Sequence, residues 1–429
     1  MTGQGMTQKG LWKTCPVADS FVKNEVGRRN QIPAKDIALS GRFPVVDQGQ
    51  QFVSGYCDDK DRVIDFDLPL IIFGDHTRCL KYVDFPFILG ADGTKVLLPD
   101  KKIFDPKFYY YALVALELPS RGYNRHFKSL VERSIPLPPL PEQKKIAQIL
   151  STVQRAIEAQ ERIVRTTTEL KKALMHKLFT EGIPRRSLGE GGPPRNEPQK
   201  QTEIGLVPES WQLKPLGELC AKPDGALQTG PFGSQLHKHE YQEEGVAVVN
   251  PTHLAGNRIN HERVPRVSEG VADRLAKHRL RKLDILFARR GEIGRQGMVT
   301  EPEVNWLCGT GCFLVRARNP LIDNRFLSFY FATEPLVKWL YAHAAGAIMP
   351  NLSNTVMMRL PVFLPDLDSQ RRIVEVFESL GKKVDVAESK LANLQDLFRT
   401  LLHELMTAKT RVDQKEFSFT STAIRNAEP

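Results

Sequence analysis

The chain has 429 residues, 41% of them apolar and 26% charged, with a mean hydropathy of −0.32, and this composition excludes a fibrous or wholly disordered protein. No apolar run approaches the roughly 20 residues of a membrane-spanning helix, and residues 1–10 do not resemble a secretory signal, so we expect a cytoplasmic protein. Sixty Lys and Arg against fifty Asp and Glu give a net charge of +10, which favours a polyanionic partner such as nucleic acid.

The first part of the chain is predicted to be a globule of mixed strands and helices. Residues 1–10 are expected to be disordered, and residues 11–141 to form the globule. Short apolar runs between Gly, Pro, Asn and Asp predict strands at residues 70–73 and 95–98, and residues 106–118 are predicted to be helical. The Pro-rich segment 135–141 ends the globule, because proline excludes a helix there.

A long helix is predicted over residues 142–181, followed by a flexible linker over residues 182–202. At 1.5 Å per residue, about 40 residues would span roughly 60 Å. Polar residues Gln160, Thr167 and Lys171 interrupt the apolar stripe of this helix, which consists of Ile146, Leu150, Val153, Ile157, Val164, Leu174 and Leu178. Residues 182–198 include eight Gly or Pro among seventeen residues, a composition typical of a linker.

The second part of the chain is predicted to follow the same plan. Residues 203–366 form a second globule, with strands at 245–249, 284–287 and 312–315 and a helix at 323–343. A second long helix covers residues 367–408, and the polar residues 409–429 are expected to be disordered. Its apolar residues alternate steps of four and three, which is a heptad seam; they are Ile373, Phe377, Leu380, Val384, Ala387, Leu391, Leu394, Phe398, Leu401 and Leu405.

An internal repeat relates the two parts. A shift of 227 residues aligns residues 135–180 with 362–407 without a gap, and it matches Gln143 with Gln370 and Thr180 with Thr407. Neither helix can bury its apolar stripe alone, so each is the natural partner of the other. The sequence therefore predicts an α+β protein in which two globules are held by a rigid helical spacer, with a pseudo-twofold repeat.

The six cysteines give little support for a metal site. They include no paired C-x-x-C motif, and Cys308 and Cys312 have only the distant His237 and His239 as companions. Reduced cysteines in a cytosolic protein are the better interpretation.

Several segments, taken together and in order, resemble the specificity subunit of type I restriction-modification systems. The first is Leu137-Pro-Pro-Leu-Pro-Glu-Gln143, which leads into the first long helix; the others are Thr202-Glu-Ile-Gly-Leu-Val-Pro-Glu-Ser-Trp211, Thr229-Gly-Pro-Phe-Gly-Ser234, Asp284-Ile-Leu-Phe-Ala-Arg-Arg-Gly-Glu-Ile-Gly294 and Asn351-Leu-Ser353. The first globule departs from this pattern. It lacks the Gly-x-x-Pro-x-x-Trp segment that ends at Trp211, and Phe73-Gly-Asp-His-Thr-Arg78 stands in place of Arg290-Gly-Glu-Ile-Gly294.

The resemblance implies two target-recognition domains joined by two long antiparallel coiled-coil helices. It implies that each domain reads one half of a split sequence in double-stranded DNA, and that two methyltransferase subunits and two restriction and translocase subunits assemble around the chain. S-adenosylmethionine, ATP and Mg²⁺ would belong to those partners, and this chain would hold no cofactor or metal and would not be catalytic. Independently, two reading modules on one face of a duplex need major grooves about 34–36 Å apart, which a long helical spacer can supply.

Contacts with DNA are expected from polar and basic residues in loops that follow strands, because loops expose side chains on a rigid support. Arg and Asn can read guanine and adenine, whereas Lys and Ser commonly contact phosphates; a solvated surface charge is the alternative for each residue. The candidates in the first globule are His76, Thr77, Arg78, Lys81, Tyr123, Asn124, Arg125, His126 and Lys128. Those in the second are Ser234, His237, Lys238, Asn250, Thr252, Arg289, Arg290, Arg295 and Asn351.

Catalytic motifs are weak. A nuclease-like pattern could be formed by Asp366, Glu388 and Lys390, but the last two lie inside the second heptad helix. Asn250-Pro-Thr-His253 and Asp105-Pro-Lys-Phe108 only partly resemble the Asn/Asp-Pro-Pro-aromatic motif of amino-methyltransferases, and no GxxxxGK[ST] phosphate loop is present. Two alternatives stay open: a self-contained DNA-modifying enzyme, and a coiled-coil scaffold that reads no bases.

Overall fold

The computed structural model describes residues 12–91, 93–118, 125–184, 197–221, 223–346 and 350–412. The predicted disordered residues 1–10 and the tail from residue 413 lie outside this part of the chain. The chain divides into two compact units, the first formed by Met1–Arg162 with Ala387–Pro429 and the second by Ile163–Val386. Each unit contains one globule and parts of both long helices. The sequence-based prediction instead made each long helix a separate segment.

The first unit contains a predominantly antiparallel globule followed by the start of a long helix. Its helices are α1 (Pro106–Val114), α2 (Phe127–Val131), the beginning of α3 (Leu140–Thr180) and the end of α9 (Leu367–Met406). Its strands are β1 (Lys13–Pro16), β2 (Phe21–Val22), β3 (Gln31–Ile32), β4 (Phe43–Val46), β5 (Gly55–Cys57), β6 (Leu70–Gly74), β7 (Leu80–Val83), β8 (Ile88–Gly90), β9 (Thr94–Pro99) and β10 (Ser134–Leu137).

Two four-stranded sheets organise the described residues of this globule, in the orders β2-β9-β6-β7 and β3-β8-β4-β5. The first sheet is antiparallel, whereas β4 and β8 of the second run parallel. Strand β6 is buried along its whole length, which explains why it reads as a continuous apolar run without alternation. Strand β1 pairs with β10 and brings the start of the globule to the Pro-rich segment.

The second unit begins with the end of α3. Its remaining helices are α4 (Leu216–Cys220), α5 (Glu269–Arg274), α6 (Asn324–Phe331), α7 (Glu334–His343), α8 (Asn354–Arg359) and the start of α9 (Leu367–Met406). Its strands are β11 (Gln199–Thr202), β12 (Gly205–Pro208), β13 (Gln212–Pro215), β14 (Ala226–Thr229), β15 (Tyr241–Gln242), β16 (Val246–Val249), β17 (Leu254–Ala255), β18 (Arg258–Ile259), β19 (Arg266–Val267), β20 (Ile285–Ala288), β21 (Gln296–Met298), β22 (Leu307–Cys308), β23 (Cys312–Arg316) and β24 (Pro361–Leu364).

The two globules share a topology that their sequences conceal. The sheet β14-β23-β20-β21 has the order of β2-β9-β6-β7, and β16 runs parallel to β22 as β4 does to β8. The pair β13–β24 matches β1–β10 residue for residue, so that Pro215 takes the place of Pro16. Trp12, directly before β1, therefore corresponds to Trp211, directly before β13, although the first globule lacks the surrounding motif.

The heptad seam of α9 is the side of that helix protected from solvent. All ten predicted seam residues, from Ile373 to Leu405, are buried or half-buried. The apolar stripe of α3 is interrupted by three polar residues that are also partly protected from solvent: Gln160, Thr167 and Lys171 are half-buried. The observed helix bounds differ from the predicted ones by one or two residues, as is usual at helix ends.

In each unit, the start of one long helix packs against the end of the other. In the first unit, Ile146 and Leu150 of α3 share a core with Leu405 of α9. In the second, Phe179 of α3 stacks on Phe377 of α9, with ring centroids 6.2 Å apart.

Three segments differ from the sequence-based prediction. The predicted linker 182–202 includes strand β11, which pairs with β12; its residues 185–196 lie outside the described part. The tail predicted from residue 409 is ordered through Val412, which is buried at 4% exposure. The predicted helix 323–343 is two helices, because Pro335 in the first turn of α7 cannot supply the amide that would continue α6.

Candidate nucleic-acid interface

In the second unit, turns at one edge of the sheets converge into a group that we call the second loop cluster. It comprises residues 229–234, 250–252, 289–295, 309–311 and 350–352. Backbone hydrogen bonds join these turns: Gly230 N to Cys312 O at 2.8 Å, Gly309 N to Val249 O at 2.8 Å, and Arg289 N to Gly311 O at 2.8 Å. A Cβ atom on Gly309 would lie 2.3 Å from Asn250 Oδ1, so only glycine permits this approach.

The side chain of Arg289 is held in the second loop cluster by a hydrogen bond and by contacts with two aromatic rings. Its Nε donates to Leu352 O at 3.2 Å, and its backbone carbonyl accepts from Leu352 N at 3.0 Å. The guanidinium carbon lies 5.9 Å from the centroid of the Phe232 ring and 6.0 Å from that of the Phe313 ring. Burial, and then the charge of Arg290, lowers the pKa of Arg289. The remaining donors of a fixed, half-buried guanidinium suit the planar acceptors of a base edge.

The neighbouring candidates differ in their exposure and in whether their polar atoms are already paired within the protein. Arg290 is exposed, and its backbone bridges to Asn351. The buried Oδ1 of Asn351 has no hydrogen-bond partner among the described residues, which is uncommon for a buried oxygen. Arg295, by contrast, is already paired with Glu292, with Nε 2.6 Å from Oε2.

Four further candidates of the second globule face solvent. Ser234, Thr252, His237 and Lys238 are exposed. His237 stacks on His239 at 5.4 Å. Phe232 was not a candidate, yet it is 53% exposed beside Arg289; its position in the Thr229–Ser234 motif was the available signal.

The first unit has a corresponding first loop cluster, formed by residues 47–54, 74–79, 90–91, 93–94 and 125–127. Asp75 N donates to Gly93 O at 2.6 Å, and His126 N donates to Asp75 O at 2.8 Å. Arg289 makes the same two backbone bonds in the second cluster, to Gly311 and from Leu352. Asp75 therefore takes the place of Arg289, and Arg125, just before His126, takes the place of Asn351.

The predicted turn of the first globule is part of this cluster. His76 N donates to Gln48 Oε1 at 3.2 Å, and the Thr77 hydroxyl donates to Gln48 O, so the turn is tied to the loop after β4. Arg78 is exposed in a left-handed conformation with φ of 62°, and it donates to Leu118 O at 2.9 Å. Arg125 and Lys128 are exposed, although Lys128 lies 4.0 Å from Glu132.

Two candidates of the first globule are buried, contrary to the expectation that loops expose them. Lys81 is 4% exposed, and its ammonium is used inside the protein by Gln51 O and Asp47 Oδ1. His126 is 2% exposed at the start of α2. Such burial disfavours a direct contact of either side chain with nucleic acid. Tyr123 and Asn124 lie outside the described residues.

The weak catalytic motifs have structural roles. Asp105 Oδ1 accepts from the backbone amides of Lys107 and Phe108 and caps α1. Asp366 accepts from Ser369 N at 2.9 Å at the start of α9. In the Asn250-Pro-Thr-His253 turn, the His253 ring accepts from Asn250 N at 3.0 Å. No group of three or more His, Cys, Asp or Glu in the described ranges could hold a metal ion.

Among the residues that the structure describes, no helix combines the length and apolar character that a membrane crossing requires.

The chain also matches known proteins along most of its length. The MjaVIII specificity subunit of a type I restriction enzyme from Methanocaldococcus jannaschii is 26% identical over 428 residues, covering 95% of this chain and 94% of that protein. The EcoBI specificity subunit from Escherichia coli is 21% identical over 388 residues, covering 85% and 79%.

A solved structure has the same fold. The type I restriction-modification S subunit from M. genitalium superposes with a TM-score of 0.60 at 19% identity, covering 94% of this chain and 98% of that one. The sequence profile described as "Type I restriction modification DNA specificity domain" matches residues 12–165 and 208–396, which together exceed half the chain. The chain therefore belongs to the family of type I restriction-modification DNA specificity proteins.

Proposed function

We propose that this chain is the DNA-recognition subunit of a type I restriction-modification complex and that each globule reads one half of an asymmetric, bipartite target. Its relatives are named as specificity subunits of such enzymes, which supports sequence recognition. The observation that carries the split-site proposal is the pair of matching loop clusters with different side chains. Asp75 stands where the second cluster has Arg289, and Arg125 where it has Asn351. The buried Asp75 cannot offer a base the guanidinium that Arg289 offers, and modules of one fold whose clusters present different side chains should bind unlike half-sites.

The two long helices would hold the spacing as an antiparallel coiled coil. The protected heptad seam of α9 supports this role, as does the sharing of cores by opposite helix ends in each unit. The outer faces would dock two methyltransferase and two restriction and translocase subunits. A repeated scaffold suits two copies of one partner.

Catalysis would belong to those partners in the cytoplasm. S-adenosylmethionine, ATP and Mg²⁺ would be bound by them, and this chain would contribute the choice of sequence. The Asp, Asn and His residues of its weak motifs are used as caps and turns, which supports a non-catalytic chain.

The decisive experiment uses the full chain purified with its methyltransferase subunits. The complex is incubated with S-adenosylmethionine and a pool of randomised duplexes, and methylated molecules are sequenced. We expect a split motif with two unlike halves around a fixed spacer. A single contiguous motif would overturn the bipartite proposal. Methyl transfer by the purified chain alone would establish the enzyme alternative, and binding without preference among duplexes would establish the scaffold.

A further inference from the structure

The first loop cluster contains a glutamine-rich loop, residues 47–54, between β4 and β5. Val46 of β4 pairs in parallel with Leu89, as Val249 of β16 does with Cys308. Asp47 therefore takes the place of Asn250. A Cβ on Gly90 would lie 2.4 Å from Asp47 Cβ, just as one on Gly309 would strike Asn250. This loop thus leaves its sheet where the second globule has Asn250 and Thr252.

The buried side chain of Lys81 holds this loop through contacts with Gln51 and Asp47. The Lys81 side chain is 4% exposed, and its ammonium donates to Gln51 O and lies 3.5 Å from Asp47 Oδ1. The same Asp47 oxygen accepts from Gly49 N at 2.8 Å. Gln48 is tied to the neighbouring turn through His76 and Thr77. A charged hydrogen bond away from water is stronger than one in water, so Lys81 fixes the loop backbone at Gln51.

The top of the loop faces solvent. Gln50 and Gln51 are exposed, and within the described residues neither side-chain amide has a hydrogen-bond partner. Phe52, 46% exposed, packs on Phe85 with ring centroids 6.0 Å apart and anchors the far side of the loop. The amide of a glutamine side chain carries both a donor and an acceptor, and this pair matches the N7 and N6 atoms of adenine in the major groove.

We propose that Gln50 and Gln51 read an adenine in the half-site bound by the first globule, and that Lys81 is a positioning residue that holds their loop. This inference rests on the proposed function. Lys81 acts through the Gln51 carbonyl and touches no DNA, whereas the sequence alone suggested a phosphate contact.

The test applies the methylation assay to the full chain with its methyltransferase partners. Variants Gln50→Ala, Gln51→Ala and the double variant are compared with Gln212→Ala, an exposed glutamine on β13. The double variant should lower the preference for adenine at one position of one half-site by at least about tenfold. The other half-site and the thermal midpoint should not change, and Gln212→Ala should retain the full motif.

The positioning role has its own readout. Lys81→Met should weaken the same adenine preference, whereas Lys81→Arg, which keeps a donor for the Gln51 carbonyl, should retain it. A Lys81→Met protein that loses thermal stability while keeping its motif would overturn the positioning role. An unchanged motif in the double glutamine variant would overturn the reading of adenine. Absence of any split motif from the unaltered complex would instead contradict the proposed function.

Discussion

Gln143 and Gln370 lie 227 residues apart and make the same three hydrogen bonds in their own units. Gln143 Oε1 accepts from Asp105 N at 2.8 Å, while its Nε2 donates to Ile103 O at 3.0 Å and Pro138 O at 2.8 Å. Gln370 Oε1 accepts from Asp323 N at 2.9 Å, while its Nε2 donates to Leu321 O at 2.8 Å and Pro365 O at 2.9 Å. Both side chains are 0% exposed. Each glutamine therefore fixes the start of a long helix to its globule.

Removing either glutamine should destabilise its unit. Gln143→Ala or Gln370→Ala removes the partner of one half-buried amide and two carbonyls, and a group left without a partner away from water costs about 1–3 kcal/mol. We expect the free energy of unfolding to fall by at least about 2 kcal/mol in urea titrations. The matched controls are Gln148→Ala in α3 and Gln395→Ala in α9, both exposed. Equal stability of buried and exposed variants would show that these bonds contribute nothing net.

Residues from both ends of the described chain meet in the first unit. Arg411 Nε lies 2.8 Å from Glu142 Oε1, Trp12 Nε1 donates to Glu142 Oε2 at 3.2 Å, and Arg411 lies over the Trp12 ring at 5.2 Å. A double-mutant cycle with Glu142→Gln and Arg411→Met should give a coupling energy of about 1 kcal/mol that decreases with salt. The exposed pair Asp396 and Arg399 should couple less strongly. A coupling energy near zero would contradict this prediction.

Among the described residues of the second globule, Asp284 and Arg316 form the most deeply buried ion pair. Arg316 Nε lies 2.8 Å from Asp284 Oδ1, with the two side chains 7% and 0% exposed. Asp284→Asn should lower the free energy of unfolding by about 3–5 kcal/mol, because the guanidinium keeps a buried charge without its counterion. Asp284→Leu with Arg316→Met should cost less than Asp284→Asn, as calorimetry can show. The reverse order would contradict this explanation.

Arg290 and Arg295 should respond differently to salt in DNA binding. Arg290 is exposed and forms no ion pair with an acidic side chain among the described residues, whereas Glu292 already neutralises Arg295. Arg290→Ala should lower the slope of log Kd against log salt by about one, if this residue contacts a phosphate. Arg295→Ala should change the slope less. Fluorescence anisotropy at several salt concentrations measures both slopes. Equal slopes would show that Glu292 does not keep Arg295 from contributing to DNA binding.

Asp323 should contribute to stability at neutral pH and lose that contribution in acid. Burial alone would raise its pKa, but hydrogen bonds from the side chain and backbone of Arg325 outweigh burial and hold the pKa below its ordinary value. The folded-state pKa is lower than the unfolded one, so the stabilisation is present above the unfolded pKa and disappears as the pH falls through the folded pKa. The stability difference between the unaltered protein and Asp323→Asn should therefore shrink from pH 7 to pH 3. A difference independent of pH would contradict this linkage.

Sequence periodicity determined the long helices and the strands of the cores. A heptad pattern over ten apolar residues requires a helix with one protected side, and the residues from Ile373 to Leu405 form that side. The apolar runs at residues 70–73 and 312–315 lie within β6 and β23, which are fully buried. These features depend on neighbours a few residues away, so local order along the chain is enough to predict them.

Tertiary structure alone decided which polar side chains face outward. Lys81 and His126 resemble surface residues in the sequence, but long-range packing buries both, whereas Gln50 and Gln51 stay exposed on a loop that packing fixes. Trp12 takes the place of Trp211 through the pairing of β1 with β10, without the motif that marks Trp211. Burial of a polar group depends on residues brought together from distant parts of the chain, and the free energy of those contacts has no signature in local sequence.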